Sequence, residues 1–299
     1  MSKCKGCGVT LQFEDEKKLG YAVMGSNLCK RCFDLKHYNK NVDLTNYIDN
    51  ENLLKQINEQ RNFTIFLCDL ISLSDVTIDL FNKIKNDKLF VLTKVDMVPK
   101  NIKYDSLIKT IKDVYDVSPV LFSYKNKKFI NELKNIILSK KNVIISGIVS
   151  SGKSTLINTL FEKDITTSYY HNTTLDFIEI DYEDATIFDT PGFDTKIITS
   201  KSKNVLIEKI VNLKCGYEIS LNDVSFSTKN DVNFVIFMPN TVKIKTKKTI
   251  NEYNEKVIIP KKSDLVFEEF FIYFKNGAII YLNNKDYVVR KSIIGKSNE

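Results

Sequence analysis

The segment from Gly147 to Ser154, GIVSSGKS, matches the pattern G-x-x-x-x-G-K-[ST]. It follows the apolar run NVIIS and precedes KSTLINTLF, so a strand comes before it and a helix after it. This context separates it from a chance glycine-rich turn. Backbone N–H groups of such a loop face phosphate oxygens, Lys153 reaches the terminal phosphates, and the Ser154 hydroxyl binds Mg²⁺. The segment therefore predicts a phosphate-binding loop within an α/β sheet.

The surrounding sequence has the same periodicity. Residues 62–195 alternate short apolar runs with helical patterns of about 10–15 residues, which predicts a mostly parallel α/β sheet. Apolar residues make up 43% of the 299, enough for a sizeable core, and no run approaches the roughly 18 apolar residues of a membrane-spanning helix. No signal or transit peptide fits the N-terminus, so we expect a cytoplasmic protein that does not contact membranes.

A second motif, Asp189-Thr-Pro-Gly192, ends the apolar strand ATIF. A carboxylate at this position can hold Mg²⁺ through water, and the Gly192 N–H can contact a γ-phosphate. Thr173 and Thr174 lie between the two motifs. We favour Thr174 as a third Mg²⁺ ligand, although an ordinary loop threonine is the simpler interpretation of either position alone.

Two segments could bind a guanine base, whose N1–H and amino group require a carboxylate acceptor. They are Thr93-Lys94-Val95-Asp96 and Thr228-Lys229-Asn230-Asp231. The first follows a good buried strand, KLFVL, and is followed after one helix and one strand by Ser123-Tyr124-Lys125, a candidate base-contacting loop. The second follows the weaker strand DVSFS. We therefore predict that the base-binding half, residues 62–140, precedes the phosphate-binding half, residues 142–195, as in a circular permutation.

Four cysteines form two C-x-x-C pairs, Cys4 with Cys7 and Cys29 with Cys32, with 21 residues between the pairs. Four thiolates can hold one Zn²⁺ ion in a closed tetrahedral site. Redox-active pairs and an iron–sulfur cluster are the alternatives, and zinc is favoured because no signal peptide directs the chain to an oxidising compartment.

This combination resembles the circularly permuted GTPases of the YqeH family: a four-cysteine head, then TKxD, SYK, GxxxxGKS, two threonines and DTPG. The resemblance covers essentially the whole chain. It implies a permuted GTPase that binds GTP or GDP with Mg²⁺, a zinc-binding head, and a role in assembly of the small ribosomal subunit on ribosomal RNA. Lys153, Thr174 and Gly192 would act in catalysis. The nucleotide-binding residues would be Thr93, Lys94, Asp96, Ser123, Tyr124, Lys125, Gly147, Ser150, Ser151, Gly152, Lys153, Ser154, Thr155, Asp189 and Gly192.

Some positions depart from that family's pattern. Thr93 stands where asparagine is usual, Ser150 replaces an asparagine associated with potassium binding, and Tyr124 replaces a small residue. Phe193 follows Gly192, where a glutamine would orient the attacking water in Ras-like enzymes. Slow hydrolysis that depends on a partner is therefore expected.

The last third of the chain is basic. Of the net charge of +7, residues 200–299 contribute +6, from 17 Lys and Arg against 11 Asp and Glu. Lys243, Lys245 and Lys247 would share one face of a strand and could contact phosphates, or could be a solvated strand edge. We further predict a helix in SKNVLIEKIVNLK and a hairpin in FFIYFKNGAIIYL, turning at Asn276-Gly277.

The expected organisation is a zinc-ribbon head (1–42), a circularly permuted GTPase domain (43–203) and a small, β-rich, basic C-terminal domain of RNA-binding type (204–299). A GTP-gated adaptor for a protein partner, without RNA binding, is the main alternative. An ATPase is a weaker one, because Asp96 argues for guanine. The sequence does not fix the oligomeric state, and a monomer is the default expectation.

Overall fold

The structure is a computed structural model of the chain. It describes residues 4, 10–16, 20–30, 33, 50–160, 177–195, 198, 204–248, 253 and 255–294, together with the backbone of 166–170. Within these residues it contains one α/β layer built on a mixed sheet and two antiparallel sheets.

The mixed sheet has seven strands in the order β3-β2-β1-β4-β7-β6-β5. β1 to β4 and β7 run parallel, and β5 and β6 are antiparallel additions at one edge. The strands are β1 (Phe63–Asp69), β2 (Lys88–Thr93), β3 (Val120–Leu121), β4 (Asn142–Gly147), β5 (Thr166–Tyr170), β6 (Phe177–Tyr182) and β7 (Ala185–Asp189). β1 and β4 are central and almost wholly buried, which explains their continuous apolar sequences.

In the described part of the chain, five α-helices accompany this sheet: α1 (Asn50–Gln60), α2 (Asp75–Lys83), α3 (Tyr104–Tyr115), α4 (Lys127–Lys140) and α5 (Lys153–Leu160). Side chains cap two of them, because Ser74 accepts a hydrogen bond from the Thr77 N–H and Asn126 accepts one from the Lys128 N–H. The strand and helix order predicted for residues 62–195 is confirmed in the described residues, except that strand β5 was not predicted. None of the described helices is long and apolar enough to cross a membrane.

The described residues between 206 and 291 form two five-stranded antiparallel sheets, which we call the inner and outer sheets. The inner sheet has the order β17-β14-β15-β11-β8 and the outer sheet β12-β9-β10-β16-β13. The strands are β8 (Leu206–Leu213), β9 (Tyr217–Leu221), β10 (Val224–Thr228), β11 (Val232–Pro239), β12 (Ile244–Lys248), β13 (Glu255–Ile259), β14 (Ser263–Val266), β15 (Phe271–Phe274), β16 (Ala278–Leu282) and β17 (Val288–Lys291).

The central strands of the inner sheet, β11, β14 and β15, are buried on both faces. Phe234 and Ile236 of β11 pack into a cluster shared with the outer sheet, whereas Val235 and Phe237 join the cluster that contains α1 and the core of the mixed sheet. This double burial explains the unbroken apolar run of β11. The inner sheet therefore connects the mixed sheet to the outer sheet.

Two sequence predictions in this region are wrong. SKNVLIEKIVNLK contains strand β8, not a helix, because pairing along β11 satisfies its backbone over eight residues. FFIYFKNGAIIYL is not a hairpin, since β15 pairs with β14 and β11 in the inner sheet while β16 pairs with β10 and β13 in the outer sheet. The Asn276-Gly277 turn, with Gly277 at φ +72°, carries the chain from one sheet to the other.

Candidate nucleotide-binding site

The phosphate loop lies between the end of β4 and the start of α5. A Cβ atom on Gly147 would lie 2.2 Å from the Leu67 carbonyl oxygen of β1, so only glycine fits there. Ser150 and Gly152 both have left-handed backbone, at φ +62° and +95°. Such a turn aims successive N–H groups into one concavity, which suits a phosphate. Ser154 and Thr155 are exposed in the first turn of α5, where Ser154 can meet a metal ion.

Lys153 is the first residue of α5 and faces the end of β7. Burial lowers the pKa of its ammonium group from the ordinary value, and the nearby Asp189 carboxylate opposes that shift. A bound polyphosphate would favour the charged ammonium further. Asp189 lies opposite Ile145 in the parallel pairing of β7 with β4, so it approaches the phosphate loop from the neighbouring strand.

The DTPG segment is joined to the phosphate loop by backbone hydrogen bonds. The Phe193 N–H donates to the Gly147 carbonyl at 2.9 Å, and the Val149 N–H donates to the Phe193 carbonyl at 3.0 Å. A Cβ atom on Gly192 would lie 2.9 Å from the Lys153 Nζ and equally close to backbone atoms of Val149. Gly192 is therefore held directly against the loop that would carry the terminal phosphates.

The base-binding motifs meet at the carboxyl ends of β2 and β3. The Asp96 carboxylate accepts a hydrogen bond from the Ser123 hydroxyl at 3.0 Å and forms an ion pair with the Lys125 ammonium at 2.8 Å. Lys94 adopts a left-handed conformation at φ +55°, and its ammonium lies 2.8 Å from the Asp69 carboxylate. Tyr124 is half exposed at the mouth of the site.

Thr93 connects the base-binding motif to the phosphate loop. Its hydroxyl lies 2.6 Å from the Ser151 carbonyl oxygen, across 58 residues of sequence. The threonine thus supplies a direct contact between the two halves. The pocket between them is lined by Thr93, Lys94, Asp96, Met97, Phe122, Ser123, Tyr124, Gly152 and Thr155.

The competing segment, Thr228 to Asp231, lies at the turn between β10 and β11 in the antiparallel sheets. Asp231 forms an ion pair with Lys214 at 2.8 Å and accepts a hydrogen bond from the Cys215 N–H at 2.9 Å. Its carboxylate therefore closes a local turn, away from the phosphate loop.

Phe193 cannot orient a water molecule. Its side chain is fully buried and packs on Phe66, with ring centroids 6.0 Å apart. The next residue, Asp194, is held by Asn50 at the start of α1: the Asn50 amide donates to the Asp194 carbonyl and accepts from its N–H. Neither the Asn50 contact nor the Asp69–Lys94 pair was foreseen. The position of Asp69 at the end of β1 was a usable signal for the pair with Lys94, whereas nothing in the sequence marked Asn50.

The N-terminal cysteines are described only in part. Cys4 and Cys29 are both buried, and the Cys29 N–H donates to the Cys4 sulfur at 3.1 Å. Cys7, Cys32 and Thr174 lie outside the described residues. Among the residues that are described, no group of three or more metal-ligating side chains occurs.

Comparison with known proteins agrees with this arrangement in the mixed sheet. Residues 77–198 match the RsgA GTPase family, and residues 142–268 match the family described as 50S ribosome-binding GTPase. The latter match continues into the antiparallel sheets. YqeH of Bacillus subtilis (strain 168), described as an uncharacterized protein, is 35% identical over an alignment of 213 residues, and the alignment covers 63% of this chain and 58% of YqeH. The chain thus aligns with little more than half of that relative.

The strand that carries TKVD precedes the phosphate-loop strand in the chain, yet both end at the same edge of the sheet, beside each other's loops. Together with the RsgA and 50S-binding GTPase matches and the similarity to YqeH, this arrangement fits a circularly permuted GTPase of the YqeH type.

Proposed function

We propose that the protein binds GTP and GDP with Mg²⁺ and hydrolyses GTP. The observation that carries the proposal is the Asp96 carboxylate, oriented by Ser123 and Lys125 within one pocket with Gly152 and Thr155 of the phosphate loop. A carboxylate held in this way can accept hydrogen bonds from guanine N1–H and its amino group. Adenine lacks that pair of donors, so the pocket favours guanine.

The chain supplies groups for the phosphates and the metal, and they fit Mg²⁺ chemistry. Ser154 offers an exposed hydroxyl and Asp189 a carboxylate beside the phosphate loop, and oxygen ligands suit this ion. We propose Thr174 as a further ligand. Bound Mg²⁺ would neutralise charge on the phosphates. Lys153 and the Gly192 N–H would hold the terminal phosphate, and its loss would release the DTPG segment.

We propose that intrinsic hydrolysis is slow. Within the described residues, the buried ring of Phe193 occupies the position from which a polar side chain would orient water. A partner that orders water or contributes positive charge would therefore be the activator. Single-turnover hydrolysis with and without ribosomal subunits tests this, and rapid hydrolysis by the isolated protein would contradict it.

The partner we propose is ribosomal RNA of the small subunit, bound on the solvent face of the outer sheet. Cross-strand pairing places Lys247, Glu218, Ser227, Tyr281 and Lys256 in one row across five strands. Glu218 in this row is 2% exposed and forms an ion pair with Lys247 at 3.3 Å. Its burial and this ion pair reduce the repulsion between its carboxylate and an anion.

Other polar residues of this face are also suited to RNA. Lys245 lies in the adjacent row beside two hydrogen-bonded serines, Ser220 and Ser225. The Lys229 ammonium lies 4.9 Å from the centre of the Tyr281 ring. Lysines around an aromatic ring can contact phosphates while the ring stacks on a base.

Affinity for 16S ribosomal RNA as a function of salt tests this face. The double variant Lys245→Gln/Lys256→Gln should lower the slope of log affinity against log salt by about 1.4–1.8, because each lost phosphate contact removes roughly 0.7–0.9. The matched variant Lys109→Gln/Lys112→Gln, on exposed positions of α3, should leave the slope unchanged. Equal effects of the two variants would refute the assignment to the outer sheet.

Two outcomes would favour other functions. The match to a family described as 50S ribosome-binding makes the large subunit a second candidate, so binding to isolated 30S and 50S subunits should be compared directly. Nucleotide-dependent binding of a protein partner, without salt-dependent RNA affinity, would instead support the adaptor.

We also propose a zinc-binding head at residues 1–42, with Cys4, Cys7, Cys29 and Cys32 as ligands. The approach of Cys4 to Cys29, 25 residues apart, supports it, because an N–H group directed at a sulfur stabilises a thiolate. The boundaries at residues 42 and 203 and a cytoplasmic location remain part of this proposal.

A further inference from the structure

We propose that Asp69 and Arg290 are positioning residues for the guanine site. Asp69 holds Lys94, and Arg290 fixes the loop that is bonded to Asp69, so that the C-terminal sheets help to shape the nucleotide pocket. This inference rests on the proposed binding of guanine nucleotides. Neither residue lines the pocket itself.

The first step of the argument is the ion pair between Lys94 and Asp69. The Asp69 side chain is fully buried, and its Oδ2 lies 2.8 Å from the Lys94 ammonium. Lys94 lines the base pocket, and its stem can cover one side of a base only if its ammonium is held to one side. A buried partner restricts the lysine more than an exposed partner would, because solvent does not compete for the contact.

The second step is the loop of residues 70–73, which follows Asp69 along the chain. The Asp69 Oδ1 accepts hydrogen bonds from the N–H groups of Ile71 and Ser72, at 2.9 and 2.8 Å. One carboxylate oxygen therefore holds the loop and the other holds Lys94. Displacement of this loop would move the carboxylate that positions the lysine.

The third step is Arg290 of β17, which reaches the same loop from the inner sheet. Its Nη1 lies 2.7 Å from the carbonyl oxygens of both Leu70 and Leu73. Its Nε is 3.3 Å from the Asp264 carboxylate of β14, and both side chains are fully buried. The loop is thus held through its N–H groups by Asp69 and through its carbonyls by Arg290.

Arginine is specifically suited to this contact. Its planar group can bond the carbonyls through Nη1 and the carboxylate through Nε at the same time. A buried guanidinium is costly unless such partners are present, so burial of Arg290 depends on the carbonyls of this loop as well as on Asp264. Lysine retains the charge, but it lacks the two separate N–H groups that bond the carbonyls and the carboxylate at the same time.

The test uses the full-length chain and three ligands: GDP, GTP and tripolyphosphate, which has no base. Asp69→Asn keeps an acceptor for the loop and removes the charge that holds Lys94. Arg290→Lys keeps the positive charge and removes the simultaneous bonds to the loop carbonyls and to Asp264. Each should weaken GDP binding roughly tenfold, as expected for coupled neighbours in one network, with little change for tripolyphosphate. The affinity of the double variant for GDP should be no lower than that of the single variant with the lower affinity.

The matched control is Asp79→Asn, which removes an exposed ion pair of the same 2.8 Å length with Lys83 on α2. It should leave all three affinities unchanged. Unchanged GDP affinity in Asp69→Asn, equal losses for GDP and tripolyphosphate, or additive losses in the double variant would overturn the inference.

If Arg290→Lys does not fold, as judged by thermal melting, Asp69→Asn in a Lys94→Met background replaces it. The aspartate change should then have no effect on GDP affinity, and a retained tenfold loss would overturn the inference. Failure of the wild-type chain to bind GDP would refute the proposed function instead, which keeps the two failures distinguishable.

Discussion

Gly192→Ala tests the contact between the DTPG segment and the phosphate loop. The added Cβ would lie 2.9 Å from the Cα and N atoms of Val149 and from the Lys153 Nζ, against 3.4–4 Å for an ordinary contact. The lysine can move, but the two backbone atoms belong to the phosphate loop. Relief therefore requires separation of the paired segments, which should cost about 1–3 kcal/mol of folding free energy.

The same displacement should act selectively on GTP. The Gly192 N–H would donate to the γ-phosphate, a charge-assisted hydrogen bond worth about 1.5–3 kcal/mol, or roughly 10- to 100-fold in affinity. GDP has no γ-phosphate, so the ratio of the dissociation constants for GTP and GDP should rise by about that factor. Competition titrations against a fluorescent GDP analogue measure the ratio, and denaturant unfolding measures the stability.

Gly216→Ala is the matched control. Gly216 has φ +78° in the turn between β8 and β9, and a Cβ there would meet nothing within 4 Å. It should lose about 1–2 kcal/mol of stability from backbone strain alone, with an unchanged nucleotide ratio. An unchanged GTP to GDP ratio in Gly192→Ala, or an equal change in both variants, would refute the reasoning.

Three further predictions concern other parts of the chain. Burial raises the pKa of Tyr115 to about 12, so the pH-dependent part of its contribution to stability is complete below pH 10 and is lost as the pH rises towards 12; Tyr115→Phe should abolish this pH dependence, up to roughly 3 kcal/mol, in unfolding measured across this range. Asp96→Asn should shift the base preference from guanine towards xanthine, whose second carbonyl accepts from the amide, in competition titrations; a retained guanine preference would contradict the base contact. Cys4→Ser should lower the zinc content of purified protein by elemental analysis, and an unchanged content would remove Cys4 from the ligand set.

The sequence was sufficient for the nucleotide-binding layer because its signals are local. KLFVL followed by TKVD, and NVIISG followed by the phosphate loop, each place a motif at the carboxyl end of a buried strand. Parallel pairing then brings those ends together at one edge of the sheet. The permuted order followed from comparing the strands before Thr93 and Thr228, and the structure places only the former in this sheet.

The C-terminal sheets were harder to predict because their pairing is long-range. Leu206, Ile210 and Leu213 have helical spacing, yet Ile210 is exposed and the other two are buried in strand β8. The strands on either side of Asn276-Gly277 look like a hairpin to any local rule. Burial of apolar residues between the two sheets places these two strands in different sheets, and no short segment of the sequence contains that information.

The contacts between layers were also beyond sequence reasoning. Arg290 lies more than 200 residues from the Leu70 carbonyl that it contacts, and Asn50 lies 144 residues from Asp194. Neither residue belongs to a motif. Such contacts depend on how the layers pack, which composition and periodicity do not specify.

The most direct test of the permuted guanine site is a titration of fluorescent GTP and ATP analogues against wild type, Asp96→Ala and Asp231→Ala. The wild-type chain should bind GTP in preference to ATP. Asp96→Ala should reduce that preference by at least about 100-fold, through two lost charge-assisted hydrogen bonds, and Asp231→Ala should leave it intact. Loss of the preference in Asp231→Ala, with Asp96→Ala unaffected, would contradict the permuted site.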